Sequence, residues 1–188
     1  MPSLPKILAF AGSARRASLN RKLLAVVAEE IRAAGAEITV LDLNDLPLPL
    51  YNGDLEEEGG LPANAGKLAG LIAAHAGLLI ASPEYNGLVT PLLKNTLDWC
   101  SRAEKNPFSG RVAAVVSASP GALGGIRSAL VARQLLMKLG CTVIPEDVTL
   151  AKANEAFDEA GRLKTAHSQE SARRLAAALV RTTARLSA

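Results

Sequence analysis

Cysteine, histidine and aromatic residues are scarce in this sequence, and each scarcity excludes a class of site. Among the 188 residues are two cysteines, Cys100 and Cys141, which stand far apart and form no C-x-x-C pair. His75 and His167 have no neighbours at the spacing of metal ligands. Neither a metal site nor a disulfide framework is therefore expected, and both cysteines are predicted to be small buried residues.

Charge and hydrophobicity exclude two further classes of partner. The formal net charge is +3 and aromatic residues make up only 3% of the chain, with lysines and arginines scattered along it. Nucleic-acid binding is therefore not expected, because it needs a concentrated basic surface. The sequence has neither a signal-peptide pattern nor an apolar run long enough to span a membrane, so a cytoplasmic protein without a membrane partner is expected.

Apolar residues are abundant, and their pattern alternates between short runs and helical spacing. They make up 49% of the chain, and its length suits one domain over residues 1–188. Strands are predicted at 6–11, 37–41, 77–81, 111–116 and 142–144, and helices at 19–34, 61–76, 92–102, 126–139 and 168–186. This alternation predicts a three-layer α/β fold, with a doubly wound, five-stranded parallel sheet between two layers of helices.

The loop between the first strand and the first helix, residues 12–20, is suited to an anion. Backbone N–H groups at a helix start have no partner within the helix and carry the positive end of its dipole. The side chains there that fit a phosphate monoester are Ser13, Ser18, Asn20 and either Arg15 or Arg16. The alternative is that Ser18 is only a helix N-cap and the arginines are solvated. The loop matches neither an NTPase P-loop nor the three-glycine dinucleotide fingerprint.

Two further loops follow predicted strands. Residues 82–91 include Pro83, Tyr85, Asn86 and Gly87, which offer a stiff turn, a flat face, an amide and a close approach for a flat heterocycle. Residues 117–125 are rich in serine and glycine, and the alternative for them is a turn whose glycines only satisfy backbone geometry. In a doubly wound sheet, all three loops lie at the carboxyl ends of strands, where ligands bind.

The least regular part of the sequence is the stretch 42–61. It contains two prolines, three glycines and a run of three glutamates. This pattern predicts a long loop that is either an exposed connector or a lid over a site. Trp99, in the helix predicted at 92–102, is expected to serve packing rather than function.

Three motifs in this order resemble those of the NAD(P)H-dependent FMN reductase family, which includes quinone and chromate reductases. They are Gly12-Ser13-x-Arg15-x-x-Ser18-x-Asn20, Ser82-Pro83-Glu84-Tyr85-Asn86-Gly87 with Leu93-Lys94-Asn95-x-x-Asp98-Trp99, and Ser119-Pro120-Gly121-x-x-Gly124-Gly125-x-Arg127. The resemblance extends from about Lys6 to Leu150. It implies a flavodoxin-like fold with strand order 2-1-3-4-5 and FMN at the switch point beside strands one and three. It also implies a homodimer or homotetramer with flavin sites at subunit contacts.

The resemblance also implies which residues contact FMN. It assigns the phosphate to the side chains of Ser13, Arg15, Ser18 and Asn20 and to the N–H of Leu19. It places Pro83, Glu84, Tyr85, Asn86 and Gly87 against the isoalloxazine ring, largely through backbone groups. It places Ser117, Ser119 and Gly121 beside the ribityl chain and ring. The loop around Tyr51-Asn52-Gly53-Asp54 also resembles the family's, and could wall the site of a neighbouring subunit.

The function that the resemblance implies is hydride transfer from NADPH or NADH, through FMN, to a small-molecule acceptor. Quinones, flavins, azo compounds and oxyanions such as chromate are the acceptors of this family, and no catalytic side chain or metal is expected. One alternative is a flavodoxin-type electron carrier without NAD(P)H turnover, and another is a non-catalytic nucleotide-binding module. The slightly basic charge favours a visiting dinucleotide over the carrier.

Overall fold

Parallel strands form the centre of the molecule, in a computed structural model that describes residues 4–187. The strands are β1 (Lys6–Ala11), β2 (Glu37–Leu41), β3 (Gly77–Ala81), β4 (Glu84–Tyr85), β5 (Leu88–Val89), β6 (Val112–Ala118), β7 (Thr142–Val143) and β8 (Val148–Leu150). The helices are α1 (Leu19–Ala33), α2 (Gly53–Gly59), α3 (Ala63–Ala74), α4 (Pro91–Ser101), α5 (Ile126–Lys138) and α6 (Ala166–Leu186). A short 3-10 helix spans Leu43–Asp45.

The main sheet has the order β2-β1-β3-β6, with β7 and β8 sharing the edge beside β6, and every pairing is parallel. This is the predicted flavodoxin-like order 2-1-3-4-5, with the fifth position divided between two segments. Thr142 pairs with Val112 and Val148 pairs with Val116. The prediction of a single fifth strand was therefore incomplete: Pro145, which has no N–H to donate, lies in the gap between β7 and β8.

The apolar alternation of β1 directs its side chains into two separate cores. Ile7, Ala9 and Ala11 pack in the core that α1 and α6 cover. Leu8 and Phe10 pack in the core that α3, α4 and α5 cover. Each of the five residues of β3 is buried, as expected for a central strand of a sheet that is covered on both faces.

Two stretches predicted to be irregular contain regular structure. The stretch 42–61 includes α2, which begins after Asn52, whose side chain accepts a hydrogen bond from the N–H of Asp54. The loop after β3 forms an antiparallel hairpin of β4 and β5, turned by Asn86 at φ +53° and Gly87 at φ +84°. Two residues with positive φ are typical of the tightest hairpin turns.

Trp99 and the two cysteines are buried, as the sequence predicts. Burial raises the pKa of the Cys100 and Cys141 thiols to about 12. His75 ends α3, with its ring nitrogens 2.7 Å from the carbonyl oxygen of Leu71 and 2.9 Å from Oγ1 of Thr39. Within residues 4–187, no group of three or more His, Cys, Asp or Glu side chains could hold a metal ion, and no helix could cross a membrane.

Candidate functional site

The loops that follow β1, β3 and β6 meet in one cleft of about 100 Å³ at the carboxyl edge of the sheet. The residues lining it are Ser13, Arg15, Ser18, Leu19, Asn20, Pro83, Glu84, Tyr85, Ala118, Ser119 and Pro120. Residues from all three sequence motifs are therefore brought together. Asn86, Gly87, Ser117 and Gly121, which the resemblance also assigns to the site, lie next to the cleft in sequence but do not line it.

The first loop presents unpaired donors at the start of α1. Ser18 is the N-cap, and its Oγ accepts a hydrogen bond of 3.3 Å from the N–H of Arg21. In the described part of the chain, the N–H groups of Leu19 and Asn20 have no acceptor. Arg15 is exposed above the same loop. N-capping and anion binding are therefore compatible at Ser18, because the cap uses only one of the donors at the helix start.

Gly12 brings the first loop against the start of α4. A Cβ at Gly12 would lie only 2.7 Å from Cβ of Leu93. The hydroxyl of Thr90, the N-cap of α4, donates to the carbonyl oxygen of Gly12 at 2.6 Å and accepts from the N–H of Leu93 at 3.2 Å. Thr90 therefore fixes the first loop relative to the helix that follows the second loop.

Asn20 joins the first loop to the third. Its Nδ2 donates to the carbonyl oxygen of Ala118 at 2.8 Å, and its Oδ1 accepts from the N–H of Ala118 at 2.9 Å. The structure uses one Nδ2 hydrogen and the Oδ1 of that amide to hold the end of β6. The second Nδ2 hydrogen and the backbone N–H are the donors that Asn20 has left for an anion.

The hairpin after β3 presents Tyr85 to solvent and holds Glu84 against α5. The ring of Tyr85 is about half exposed, with a relative exposure of 49%. The carboxylate of Glu84 accepts from Nε of Arg127 at 2.8 Å and is also bonded by Nη2 of Arg127. Because Arg127 engages this carboxylate, the part of Glu84 that stays available to a ligand in the cleft is its backbone.

Buried hydroxyls lie directly beneath this hairpin. The hydroxyl of Ser117 donates to the carbonyl oxygen of Ser82 at 2.7 Å and is fully buried. The Ser117 side chain therefore supports the second loop from below. Sequence reasoning also missed the supporting roles of Thr90 and Ser128. Thr90 stands directly before Pro91, which is the pattern of a helix N-cap, and Ser128 is a small polar residue at a buried position of α5.

The third loop is fixed from its outer side by β8 and the residues that follow it. The N–H of Ser119 donates to the carbonyl oxygen of Leu150 at 3.1 Å, and Oγ of Ser119 accepts from the N–H of Gly121 at 3.2 Å. Gly124 has φ +62°, and a Cβ there would lie 2.9 Å from the backbone of Ala151. At Gly124, glycine is therefore required both by backbone conformation and by close packing.

The stretch 42–61 is docked on α4 and does not cover the cleft of its own chain. Asn95 Oδ1 accepts from the N–H of Tyr51 at 2.7 Å, and Trp99 Nε1 donates to the carbonyl oxygen of Pro49 at 2.8 Å. Arg102 Nε donates to Glu56 Oε1 at 2.8 Å. These bonds from Arg102, and one from the Tyr51 hydroxyl, hold the pKa of Glu56 below its ordinary value. The stretch is therefore a connector within one chain.

Two larger clefts lie along α1. One of about 460 Å³ lies between α1 and β2 and shares Ser13 with the first loop, and one of about 1110 Å³ lies between α1 and residues 158–164. The charges of both clefts are largely paired within the protein, for example Arg21 with Asp42 and Arg162 with Asp158. Their size alone does not make them sites, since neither is lined by residues of all three motifs.

A family model described as NADPH-dependent FMN reductase matches residues 5–155. The chain belongs to this family. It is 37% identical over 159 residues to an NAD(P)H-dependent FMN reductase of Pseudomonas aeruginosa, covering 84% of each chain. It is 34% identical over 139 residues to a quinone reductase of Escherichia coli K12, covering 74% of this chain and 73% of that one.

A solved structure of this fold extends the likeness over nearly the whole chain. It is the flavoenzyme NAD(P)H:(acceptor) oxidoreductase of Paracoccus denitrificans, with a TM-score of 0.81, 26% identity, and coverage of 97% of this chain and 98% of that one. The resemblance inferred from the three motifs is confirmed. This FMN reductase is an oxidoreductase that uses FMN as its cofactor and NAD(P)H as its co-substrate.

The residues of the cleft fit FMN. The unpaired N–H groups of Leu19 and Asn20, together with Arg15, form a set of donors for a doubly charged phosphate. Tyr85 and Pro83 supply a flat, partly apolar surface on the neighbouring loop for a tricyclic ring. The donor set and the flat surface lie on different loops of the same cleft, as a molecule with a charged tail and a planar head requires.

Proposed function

We propose that this enzyme passes electrons from NAD(P)H to quinones and to similar small acceptors, with FMN held by the three loops described above. The observation that carries the proposal is the convergence of those loops on one cleft with free N–H donors at the start of α1. When bound, FMN supplies the hydride chemistry, accepting from the nicotinamide and giving to the acceptor at the same open face.

The first loop binds the phosphate. Ser13, Arg15 and Ser18 provide side-chain donors, and Leu19 and Asn20 provide backbone N–H groups. The start of α1 adds the positive end of the helix dipole, which favours an anion at this place. The charged tail is thereby fixed, so the ring is placed over the second and third loops.

The second and third loops bind the ring through their backbone. Residues 83–87 are held from behind by α5 and residues 119–121 by β8, so the backbone of both loops is fixed before the ligand arrives. The N–H groups of Ser119 and Gly121 are bonded within the protein, so the N–H donors to the ring come from the second loop. Preorganised donors stabilise negative charge that develops during reduction, without reorganising when it does. We assign no catalytic acid or base, because the carboxylate that lines the cleft, Glu84, is already bonded by Arg127.

The acceptors we propose are quinones first, then flavins, azo compounds and oxyanions such as chromate. Support for quinones comes from the curated relatives, several of which are named quinone reductases. A shallow cleft with a half-exposed tyrosine restricts acceptor shape little. Tolerance of several flat or small acceptors is therefore expected.

Turnover with a quinone separates this proposal from its alternatives. The purified protein, loaded with FMN, is expected to oxidise NADPH or NADH steadily when benzoquinone is supplied. A protein that binds FMN but turns over neither nicotinamide would instead be an electron carrier. A protein that cannot be loaded with FMN would be a binding module. The Cys100→Ala variant is the control and is expected to keep nearly full turnover, because Cys100 is buried in the core beside α4.

We also propose that the enzyme is a homodimer or homotetramer in which a second copy covers the cleft. The cleft of one chain, about 100 Å³, is smaller than the ~300–1,000 Å³ typical of sites that enclose organic ligands. Next to it, the hairpin and α5 expose a set of large apolar residues, the α5 face: Tyr85, Leu88, Leu123, Ile126, Leu130 and Met137. Exposed large apolar residues on the hairpin and on the helix packed against it suit a self-complementary contact.

Light scattering after size-exclusion chromatography measures the mass of the protein in solution and so tests whether it associates with further copies of itself. The wild-type chain is expected at two or four times the monomer mass. Leu130→Glu places a charge in the α5 face and is expected to lower the mass, since a buried unpaired charge opposes association. Arg181→Glu, on α6 in the opposite helix layer, is the control and is expected to keep the wild-type mass. A monomeric wild type would contradict the assembly.

A further inference from the structure

Arg127 belongs to the third sequence motif, but the resemblance assigns it no contact with FMN. Its guanidinium is largely exposed, with 60% of the side-chain surface accessible, while the Glu84 side chain that it binds is only 10% accessible. The Glu84 carboxylate is therefore largely withdrawn from water, and loss of Arg127 would leave its charge without a partner. The carboxylate that it engages lines the cleft.

Ser128, the next residue, is fully buried and bonds three consecutive residues of the second loop. Its hydroxyl donates to the carbonyl oxygen of Pro83 at 2.8 Å and lies 2.6 Å from Oγ of Ser82. Its N–H donates to Oε2 of Glu84 at 3.4 Å. The first turn of α5 therefore bonds the loop from Ser82 to Glu84 without touching the cleft itself.

The hairpin depends on such support because it is too short to fix itself. β4 and β5 pair through only two residues each, and isolated two-stranded hairpins are marginally stable even when longer. The start of α5 comes unusually close: a Cβ at Gly125 would lie 2.0 Å from Oγ of Ser117 and 3.7 Å from Cβ of Glu84. Glycine at this position lets the helix start pack directly against the loop.

We propose that Arg127 and Ser128 are positioning residues, which hold the second loop in the conformation that binds the flavin ring and keep the Glu84 carboxylate paired. The inference rests on the proposed function, since it assumes FMN in this cleft. Two effects follow. Loss of either bond lets the backbone of 83–87 move, and loss of the Arg127 charge leaves an uncompensated carboxylate beside a ring that gains negative charge on reduction.

Variants of the full-length chain separate the two effects. Ser128→Ala removes the bonds to Ser82 and Pro83, Arg127→Gln removes the charge, and Arg127→Lys restores it. Lys138→Gln, at the far end of α5, is the matched control for a lost positive charge. Three quantities are measured: the dissociation constant of FMN by flavin fluorescence, the reduction potential of the bound flavin, and amide hydrogen exchange of residues 82–89 without added FMN.

In both Ser128→Ala and Arg127→Gln, the amide hydrogens of the hairpin are expected to exchange faster than in the wild type. Both variants are also expected to bind FMN about tenfold more weakly, which is the loss expected for one or two charge-assisted or buried hydrogen bonds. Only Arg127→Gln is expected to weaken the binding of reduced FMN about tenfold more than the binding of oxidised FMN. That ratio corresponds to a shift of about 30 mV to more negative potential for a two-electron couple. Arg127→Lys is expected to restore the potential, and Lys138→Gln to change nothing.

Unchanged hairpin exchange and unchanged FMN affinity in Arg127→Gln would overturn the positioning role. If Ser128→Ala fails to fold, the substitutions of Arg127, which is exposed, still test the positioning role. A wild-type chain that binds no FMN would contradict the proposed function instead, and the exchange measurement would then judge the positioning role alone. A potential that shifts equally in Arg127→Gln and Arg127→Lys would contradict the electrostatic part.

Discussion

At the scale of single residues, several side chains at the site hold the backbone of the neighbouring loops. Asn20 is the clearest case, because its amide pairs with both backbone groups of Ala118 across 98 positions of sequence. Ser117 and Ser128 act similarly beneath the second loop. The consequence is that substitutions at these residues affect stability and FMN affinity together, whereas Arg15 should affect FMN affinity alone.

Asn20→Ala is expected to lower the free energy of unfolding by about 2–4 kcal/mol, because it leaves the buried N–H and carbonyl of Ala118 without partners. Urea unfolding monitored by circular dichroism gives the value. Asn64→Ala is the matched control: Asn64 makes one exposed hydrogen bond, to the carbonyl oxygen of Pro47, and its loss should cost less than about 1 kcal/mol. Equal losses in the two variants would show that the bridge to Ala118 contributes nothing special.

Residue types in the sequence indicate where the site lies, but they do not show which of its side chains support the neighbouring loops. Gly12, Ser13 and Arg15 follow a buried strand, so strand-loop-helix logic finds them without a structure. Asn20 is a polar residue in the motif, and only its distance to Ala118 shows that its amide also holds the third loop. Ser128 directly follows the third motif, but no local pattern marks it as a partner of Pro83, which lies 45 positions earlier in the sequence.

At the scale of elements, α4 works as a clamp for the segment that precedes α3. Side chains of Asn95, Trp99 and Arg102, at positions that share one helix face, each bond the stretch 49–56. The Tyr51 ring contacts Trp99 edge-on, with centroids 4.9 Å apart. Trp99 is the single tryptophan of the chain, so its fluorescence reports directly on this clamp.

Acid is expected to weaken the contact between α4 and the stretch 49–56, over a pH range that the pKa of Glu56 sets. Arg102 and Tyr51 hold the pKa of Glu56 below its ordinary value of 4.5. A carboxyl whose pKa is lowered by folding stabilises the folded state above its unfolded pKa, and that contribution is lost as the pH falls below it. Trp99 fluorescence should therefore change with a midpoint below 4.5, while far-UV circular dichroism stays constant.

The Glu56→Gln variant provides the control for that titration. Glutamine keeps the shape of the side chain but does not titrate, so the fluorescence change should be absent over the same pH range. A transition of the same midpoint in Glu56→Gln would mean that another group, or general acid unfolding, produces it.

Elements with strong apolar patterns are the ones that sequence reasoning places well. β1, β3 and β6 are continuous buried runs, and α1 ends as expected before Gly35, whose φ is +87°. α2, the β4–β5 hairpin and β8 were missed because each is at most seven residues long. They form through capping, turn geometry and pairing with β6, which depend on tertiary neighbours more than on periodicity.

At the scale of the whole molecule, parallel strand topology explains why distant motifs form one site. β1, β3 and β6 are adjacent and run the same way, so the loops that follow them must emerge at one edge. The strand order reverses direction beside β1, which opens a crevice there. Thr90, Asn20 and Ser117 then tie the three loops to one another across this crevice.

The central claim is that this crevice binds FMN with the phosphate at the start of α1, and calorimetric titration of the protein with FMN and with riboflavin tests it most directly. Arg15→Ala is compared with wild type, and Arg16→Ala, an exposed neighbour in the same loop, is the matched control. Wild type and Arg16→Ala should bind FMN far more tightly than riboflavin. Arg15→Ala should lose about 10- to 100-fold in affinity for FMN, with little change for riboflavin. Equal affinity of the wild type for FMN and riboflavin, or an equal loss for both ligands in Arg15→Ala, would contradict the account.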